Sequence, residues 1–396
     1  MAEIEFVDVT RVQRGMWRPV LERVGLRVRD GELMVITGAS GSGKTALLRT
    51  LAGADQPNAG RVLIDGRDVT RLAPDKRGVS MLAQGFALFP QLSVRENIAF
   101  PLTMRKTSAK AVAAKVAAIA ERCGVAGYLT ARPDALNFDL RQRAMMARAL
   151  VGEPSAVCVD EPLAGSGVPM MMRERTPIAT LQREFGVTML YATCSSTDAL
   201  AIADRIAVID HGVVQQVGTA AEVFERPATV EVASFVGQVP MNMIPAVHAD
   251  GFARVGGLSV KVGPEQAKAL TGDGVVIGLR PEDLCLGGGS VGMAGSGGGM
   301  PGAGVAGTGM AGAGAGPSPD SDAEYGSGLR AVAVLIKDSG REYLVHARMQ
   351  GPDGPVDLVV RQPRGVPPVR GENLLITVNL AAAHLFDAGT GRRLPD

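Results

Sequence analysis

Gly38-Ala39-Ser40-Gly41-Ser42-Gly43-Lys44-Thr45 brings glycines, a lysine and a threonine together between an apolar run, Leu33-Met34-Val35-Ile36-Thr37, and a helical pattern, Ala46-Leu47-Leu48-Arg49-Thr50-Leu51. Strand, glycine-rich loop and helix in that order form a phosphate-binding loop. Glycines let the backbone approach phosphate oxygens closely, and the loop and helix N–H groups then face the anion. Lys44 is placed to reach the β- and γ-phosphates, and the Thr45 hydroxyl to bind Mg²⁺. A second chemical stretch, Ala156-Val157-Cys158-Val159-Asp160-Glu161, is a buried-type strand ending in two carboxylates. Asp160 suits Mg²⁺, directly or through water, and Glu161 suits activation of an attacking water. Cys158 within the strand reads as a small core residue.

The elements around these stretches must hold them at one edge of a sheet. Functional groups at the carboxyl ends of parallel strands are where open α/β sheets bind ligands. Strands are expected at 3–9, 20–28, 60–66, 78–84, 187–193 and 205–209, with a hairpin at Asp210-His211-Gly212 and a helix near 220–225. Alanine-rich helical spacing over 106–123, continued over 140–151, predicts a helical insertion. Trp17, the only tryptophan, falls in the loop between the first two strands; it either stacks on adenine or packs on the sheet. Phe86, Leu88, Phe89 and Pro90 read as an exposed-looking apolar loop, which either marks a partner site or packs on the helical insertion. From about 240 the pattern changes to short strands at 244–249, 258–262, 275–279, 330–336, 342–347, 356–361 and 373–379, a small barrel or sandwich. Residues 287–328, almost wholly Gly, Ala, Ser, Met and Pro, are expected to be a disordered loop within it.

Composition narrows the class. The 396 residues suffice for two or three domains, and a net charge of +1 gives neither a nucleic-acid footprint nor a polybasic membrane patch. No apolar run approaches the ~18 residues of a membrane span. The start, Met1 to Phe6, lacks a signal-peptide pattern. Cys123, Cys158, Cys194 and Cys285 are too scattered for a zinc site or disulfide framework, so a reducing cytoplasm is expected.

Together these stretches resemble the ATP-binding-cassette ATPase subunits of bacterial importers, the kind with a C-terminal regulatory domain used for sugars and polyols. The resemblance covers about residues 4–237 and continues more weakly to 396. It is carried by Gly38 to Thr45, by Met81 to Pro90 with Gln84, and by Val94-Arg95-Glu96-Asn97-Ile98-Ala99. Asp160-Glu161-Pro162-Leu163, Ala203 to Val208, Gly278 to Asp283 and Leu385-Phe386-Asp387 add to it. It implies an α/β ATP-binding domain over 1–237 with a helical insertion at about 95–150, and a β-rich OB-like domain over 238–396. It further implies ATP and Mg²⁺, with Gln84 beside the metal and the attacking water. The implied partners are transmembrane permease subunits, a second ATP-binding subunit in a homodimer or heterodimer, and indirectly a solute-binding protein. The implied location is peripheral, on the cytoplasmic face of the membrane.

Three expected motifs depart from the family pattern. Leu136-Asn137-Phe138-Asp139-Leu140 stands where Leu-Ser-Gly-Gly-Gln is usual, Ala164-Gly165-Ser166-Gly167 where Ser-Asn-Leu-Asp is usual, and Cys194 where a switch histidine is usual. Phe138 obstructs close backbone approach, while Asn137 and Asp139 still suit a helix start. Asp139 adds an anion facing an anion, which at ~4 Å and an effective dielectric near 20 would cost about 4 kcal/mol. Losing a donor at Cys194 costs about 100-fold in rate. Two readings follow: an importer ATPase, or a non-hydrolysing subunit beside a competent paralogue. A stand-alone P-loop kinase fits the C-terminal strand series poorly.

Overall fold

A computed structural model describes residues 2–13, 15, 17–83, 88–162, 177–287 and 325–396. Gln84, Phe86, Leu163, the 164–167 stretch and the core of the Gly/Ala-rich segment lie outside these residues. The chain divides into two compact units, Met1–Pro240 and Met241–Asp396, three residues beyond the expected junction.

The first unit contains two sheets. β1 (Ile4–Arg11), β2 (Leu21–Val28), β4 (Ala59–Ile64) and β5 (Arg67–Asp68) form an antiparallel sheet in the order β2-β1-β4-β5. The other sheet contains β3 (Leu33–Thr37), β6 (Val79–Leu82), β7 (Ala156–Asp160), β8 (Thr188–Thr193), β9 (Arg205–Asp210) and β10 (Val213–Gly218). Its order is β10-β9-β3-β8-β7-β6, parallel except for the edge strand β10. β3, β7 and β8 are buried at every position, as their continuous apolar runs require of strands covered on both faces. Thr37 lies opposite Thr193, and Asp160 opposite Ala192, so β3, β8 and β7 end at one level.

α1 (Lys44–Ala52) starts directly from the loop after β3. Its last carbonyls are capped from outside the helix. The Arg77 guanidinium donates to Thr50 O at 2.7 Å and Leu51 O at 3.0 Å, and also to Leu72 O and Thr70 O. The helical insertion comprises α2 (Val94–Met104), α3 (Ala109–Arg122) and α4 (Phe138–Leu150). Ser93 and Glu96 form a capping box at the start of α2. Asn137 caps α4, its side chain accepting from Leu140 N–H at 2.9 Å.

Two apolar expectations near the site change. Leu88 is buried with the insertion helices, and Phe89 is half-buried, 4.8 Å from the Phe100 ring. The fully buried Asn97 pins this segment, accepting from Phe89 N–H at 2.7 Å and donating to Phe89 O at 3.1 Å. Trp17 does not pack on the sheet; its side chain is fully exposed.

The second unit is built from two antiparallel sheets around one apolar core. β11 (Asn242–Ala249), β12 (Phe252–Val255), β13 (Leu258–Lys261), β14 (Gly274–Leu279), β15 (Leu284–Leu286), β16 (Tyr325–Asp338), β17 (Glu342–Gly351), β18 (Gly354–Pro363), β19 (Asn373–Asn379) and β20 (His384–Asp387) pair as β13-β12-β11-β14-β20 and β15-β19-β16-β17-β18. β12, β15 and β20, of three or four residues each, are absent from the sequence-based expectation. Both ends of the segment expected as a disordered loop, 287–328, are instead paired. Gly287 N–H donates to Leu375 O at 2.6 Å, and β16 already begins at Tyr325.

Candidate functional site

The loop from Gly38 to Thr45 is shaped by backbone that tolerates no side chain at key points. A Cβ at Gly38 would lie 2.0 Å from Ile209 O. Gly43 has φ 112°, and a Cβ there would lie 2.7 Å from Val20 O. The loop is therefore wedged against the end of β9 and the start of β2. The hairpin after β9 adds a strut: Gly212 N–H donates to Ser42 O at 2.8 Å, and Gly212 O accepts from Glu22 N–H at 2.9 Å. This strut is invisible in the sequence, where the hairpin is only a turn signal.

The chemical side chains converge at the carboxyl edge of the parallel strands. Lys44 is 4% exposed, and its Nζ donates to Gly38 O at 2.9 Å and Ala39 O at 2.8 Å. Glu161 Oε1 lies 3.6 Å from the same ammonium. The Thr45 hydroxyl donates to Asp160 Oδ1 at 3.1 Å. Asp160 is buried, which pushes its carboxyl above the usual carboxylate range; the bond from Thr45 acts in the opposite sense, and the nearby Glu161 charge adds to the rise. Glu161 sits in the left-handed region at φ 42°, its N–H held by Ala192 O at 2.9 Å. A non-glycine residue in that conformation is uncommon, and such strain concentrates at functional sites. Behind the site, burial drives the Cys158 thiol strongly up, in keeping with a core role.

Whether these residues fit a phosphate and a metal can be read from the loop itself. Ser42 Oγ is buried with no hydrogen-bond partner among the described residues. The Lys44 ammonium is satisfied by carbonyls of the loop it would share with an anion. Thr45 and Asp160 offer two adjacent oxygen donors, the chemistry a hard divalent cation prefers. The residues present fit both groups.

A cleft of about 350 Å³ opens beside Gly41, Gly43, Lys44 and Thr45 and is also lined by Arg11, Gln13 and Val20. Sequence reasoning missed Arg11 and Gln13, which carry no local signal. Trp17 does not line this cleft. At the motif departures, Asp139 is paired with Arg143 at 2.7 Å, so its charge is locally neutralised and the full repulsion of a bare carboxylate does not apply. Cys194 is exposed, directly after Thr193, whose carbonyl accepts from the Thr37 hydroxyl at 3.0 Å.

The ABC transporter family model matches residues 21–164, and the MalK OB fold domain model matches 240–284. The chain is 32% identical to the diacetylchitobiose uptake system ATP-binding protein MsiK of Streptomyces coelicolor, over the whole of both chains. It is 36% identical to the sn-glycerol-3-phosphate import ATP-binding protein UgpC of Cereibacter sphaeroides, again over both whole chains. Against the trehalose/maltose import ATP-binding protein MalK of Thermococcus litoralis it is 38% identical over 72% of this chain and 79% of the relative. With a wedged phosphate loop after β3, two carboxylates at the end of β7 and whole-length likeness to import ATP-binding proteins, the chain belongs to the ABC transporter family, among its importer ATP-binding subunits with a C-terminal OB-fold domain.

Proposed function

We propose that the chain binds ATP with Mg²⁺ and couples ATP binding and hydrolysis to uptake of a carbohydrate, polyol or related solute. The observation that carries this is the meeting of Lys44, Thr45, Asp160 and Glu161 at one sheet edge. Loop N–H groups and Lys44 hold the β- and γ-phosphates, and Ser42 gains a partner for its buried hydroxyl. Thr45 and Asp160 are the residues that would hold Mg²⁺, which when bound neutralises charge developing on the phosphates. Glu161 orients the attacking water. Gln84, outside the described residues, is assigned beside metal and water by family resemblance.

The solute class rests on the relatives named above. The permease is proposed to dock on the helical insertion. Phe100 and Met104 of α2 are exposed there, and Phe89 packs against Phe100. None of the helices among the described residues is long and apolar enough to cross a membrane, in keeping with a peripheral subunit on the cytoplasmic face of the membrane. A second ATP-binding subunit, identical or paralogous, is proposed as the partner that completes each site.

The test is phosphate release by the complex reconstituted with its membrane subunits. Wild type should release phosphate above the Glu161→Gln blank, and Lys44→Ala should lose ATP binding by removing a charge from the phosphate cradle. Equal ATP affinity in wild type and Lys44→Ala would overturn the site assignment. Phe89→Asp should reduce co-purification with the permease while leaving ATP binding intact; unchanged assembly would overturn the docking assignment.

A further inference from the structure

The geometry points to Gly212, at the tip of the β9–β10 hairpin, as a positioning residue that sets phosphate affinity by orienting the Gly43 peptide. The inference rests on the nucleotide-binding reading and adds a residue far from the phosphate loop in sequence.

The hairpin has a two-residue tip. Asp210 pairs with Val213, and His211 and Gly212 between them have φ 45° and 81°. Two left-handed residues in succession make a type I′ turn, whose twist suits a tight hairpin. Such a turn leaves the N–H groups of both tip residues outside the strand ladder. The second of them reaches the phosphate loop: Gly212 N–H donates to Ser42 O at 2.8 Å. Gly212 O accepts from Glu22 N–H at 2.9 Å, which anchors the tip to β2.

The contact is backbone against backbone. A Cβ at Gly212 would lie 2.5 Å from Val20 O. A Cβ at Gly43 would lie 2.7 Å from the same carbonyl and 3.5 Å from Gly212 Cα. At the other end of the loop, a Cβ at Gly38 would lie 2.0 Å from Ile209 O. One hairpin therefore meets the first and the last glycine of the loop.

Ser42 C=O and Gly43 N–H belong to one peptide unit. In a planar trans peptide the two point in opposite directions, and no cis peptide occurs among the described residues. With Ser42 O held by Gly212, the Gly43 N–H points away from the hairpin. Gly43 lines the cleft, so a phosphate seated there meets this N–H together with those that open α1. Were the unit to turn over, the Ser42 carbonyl would face the anion instead.

His211 lets the turn be altered without touching the loop. Its side chain is 88% exposed, 3.9 Å from Asp210. Asn favours the left-handed region, whereas a β-branched residue there is an outlier. Both substitutions lose the Asp210 contact, so they differ in backbone preference. The experiment is calorimetric titration of the full chain with Mg²⁺ and ATP or inorganic tripolyphosphate, beside thermal melts without ligand. His211→Asn should keep both affinities within about twofold of wild type, a difference too small to count as a lost contact. His211→Val and Gly212→Ala should weaken both ligands in parallel by about tenfold, the scale of one hydrogen bond to a charged group. Gly66→Ala is the strain control. Gly66 has φ 73° in the turn between β4 and β5, where a Cβ meets nothing within 4 Å. It should lower the melting midpoint and keep both affinities. If Gly212→Ala does not fold, the two His211 variants decide. The proposal is overturned if His211→Val, or a folded Gly212→Ala, binds tripolyphosphate as tightly as wild type. Equal weakening by His211→Asn or by Gly66→Ala overturns it too. Wild type that binds both ligands while every variant matches it defeats this proposal alone. Wild type that binds neither defeats the nucleotide reading as well.

Discussion

Asp160 shows how a single side chain trades stability for function. Its carboxylate is buried, and burial raises its affinity for a proton above that of the unfolded chain. A raised acid pKa means that the folded state binds the proton more tightly, so the charged form opposes folding at neutral pH. Asp160→Asn keeps an acceptor for Thr45 and removes the buried charge. Without Mg²⁺ it should be more stable than wild type by about 0.5–2 kcal/mol at pH 7, while losing Mg²⁺-dependent ATP affinity. The stability gap should narrow as pH falls through the raised folded-state value towards 3.8 and be gone below it, where both states are protonated, and thermal melts across pH check this. Asp387 has the opposite sign. Thr271 N–H foremost, with the Thr390 hydroxyl and further bonds from both threonines, holds its carboxyl well below the usual range. Its contribution is full above the unfolded value of 3.8 and lost as pH falls below it. Asp387→Ala should cost about 2–3 kcal/mol at pH 7, the scale of a lost charged hydrogen bond, and less in acid, read from denaturant midpoints.

At the scale of elements, α1 is fixed at both ends by distant residues. Its N-terminus is wedged by the Ile209 and Val20 carbonyls, and its C-terminal carbonyls are bound by the buried Arg77 guanidinium. Arg77→Ala leaves these carbonyls buried without a charged donor and should destabilise the first unit by about 2–3 kcal/mol, visible as a lower denaturant midpoint. α4 matters differently. Asn137 already caps it and Asp139 pairs with Arg143, so the helix start is sound; on the proposed reading it is the bulk of Phe138 that would keep a phosphate away. Cys194→His alone should therefore change turnover little. Combining it with Asn137→Ser, Phe138→Gly, Asp139→Gly and Leu140→Gln should raise steady-state phosphate release at least ~100-fold, the worth of one pre-placed donor. Unimproved release from that variant would show that the departures do not limit the reaction.

At the scale of the whole molecule, each unit carries its own core. Damage to the second core should therefore stay local. Ile376 of β19 is fully buried in it, and Ile376→Ala should cost about 2–5 kcal/mol within the second unit. ATP affinity of the phosphate loop should remain within about twofold of wild type, a difference under ~0.5 kcal/mol. Calorimetric scanning with a parallel ATP titration reads both effects, and a matching fall in ATP affinity would show that the loop depends on the second core.

The sequence by itself determined the features written in neighbouring residues. Glycines around Lys44 dictate a loop whose backbone reaches an anion, and the apolar runs ending at Thr37, Asp160 and Thr193 dictate buried strands. Asn137 declares a helix start by side-chain chemistry alone. Tertiary structure decided what depends on pairing between distant positions. Parallel register brings Thr45 to Asp160 across 115 residues, and no local pattern encodes that meeting. Asn97 turns Leu88 inward from a segment whose composition reads as exposed, because a buried amide must be satisfied by whichever backbone is near. The same holds for Arg77 at the end of α1 and for Arg11 and Gln13 along the cleft. The short strands β12, β15 and β20 exist by virtue of the distant or neighbouring strands they pair with, which the three or four residues of each do not specify.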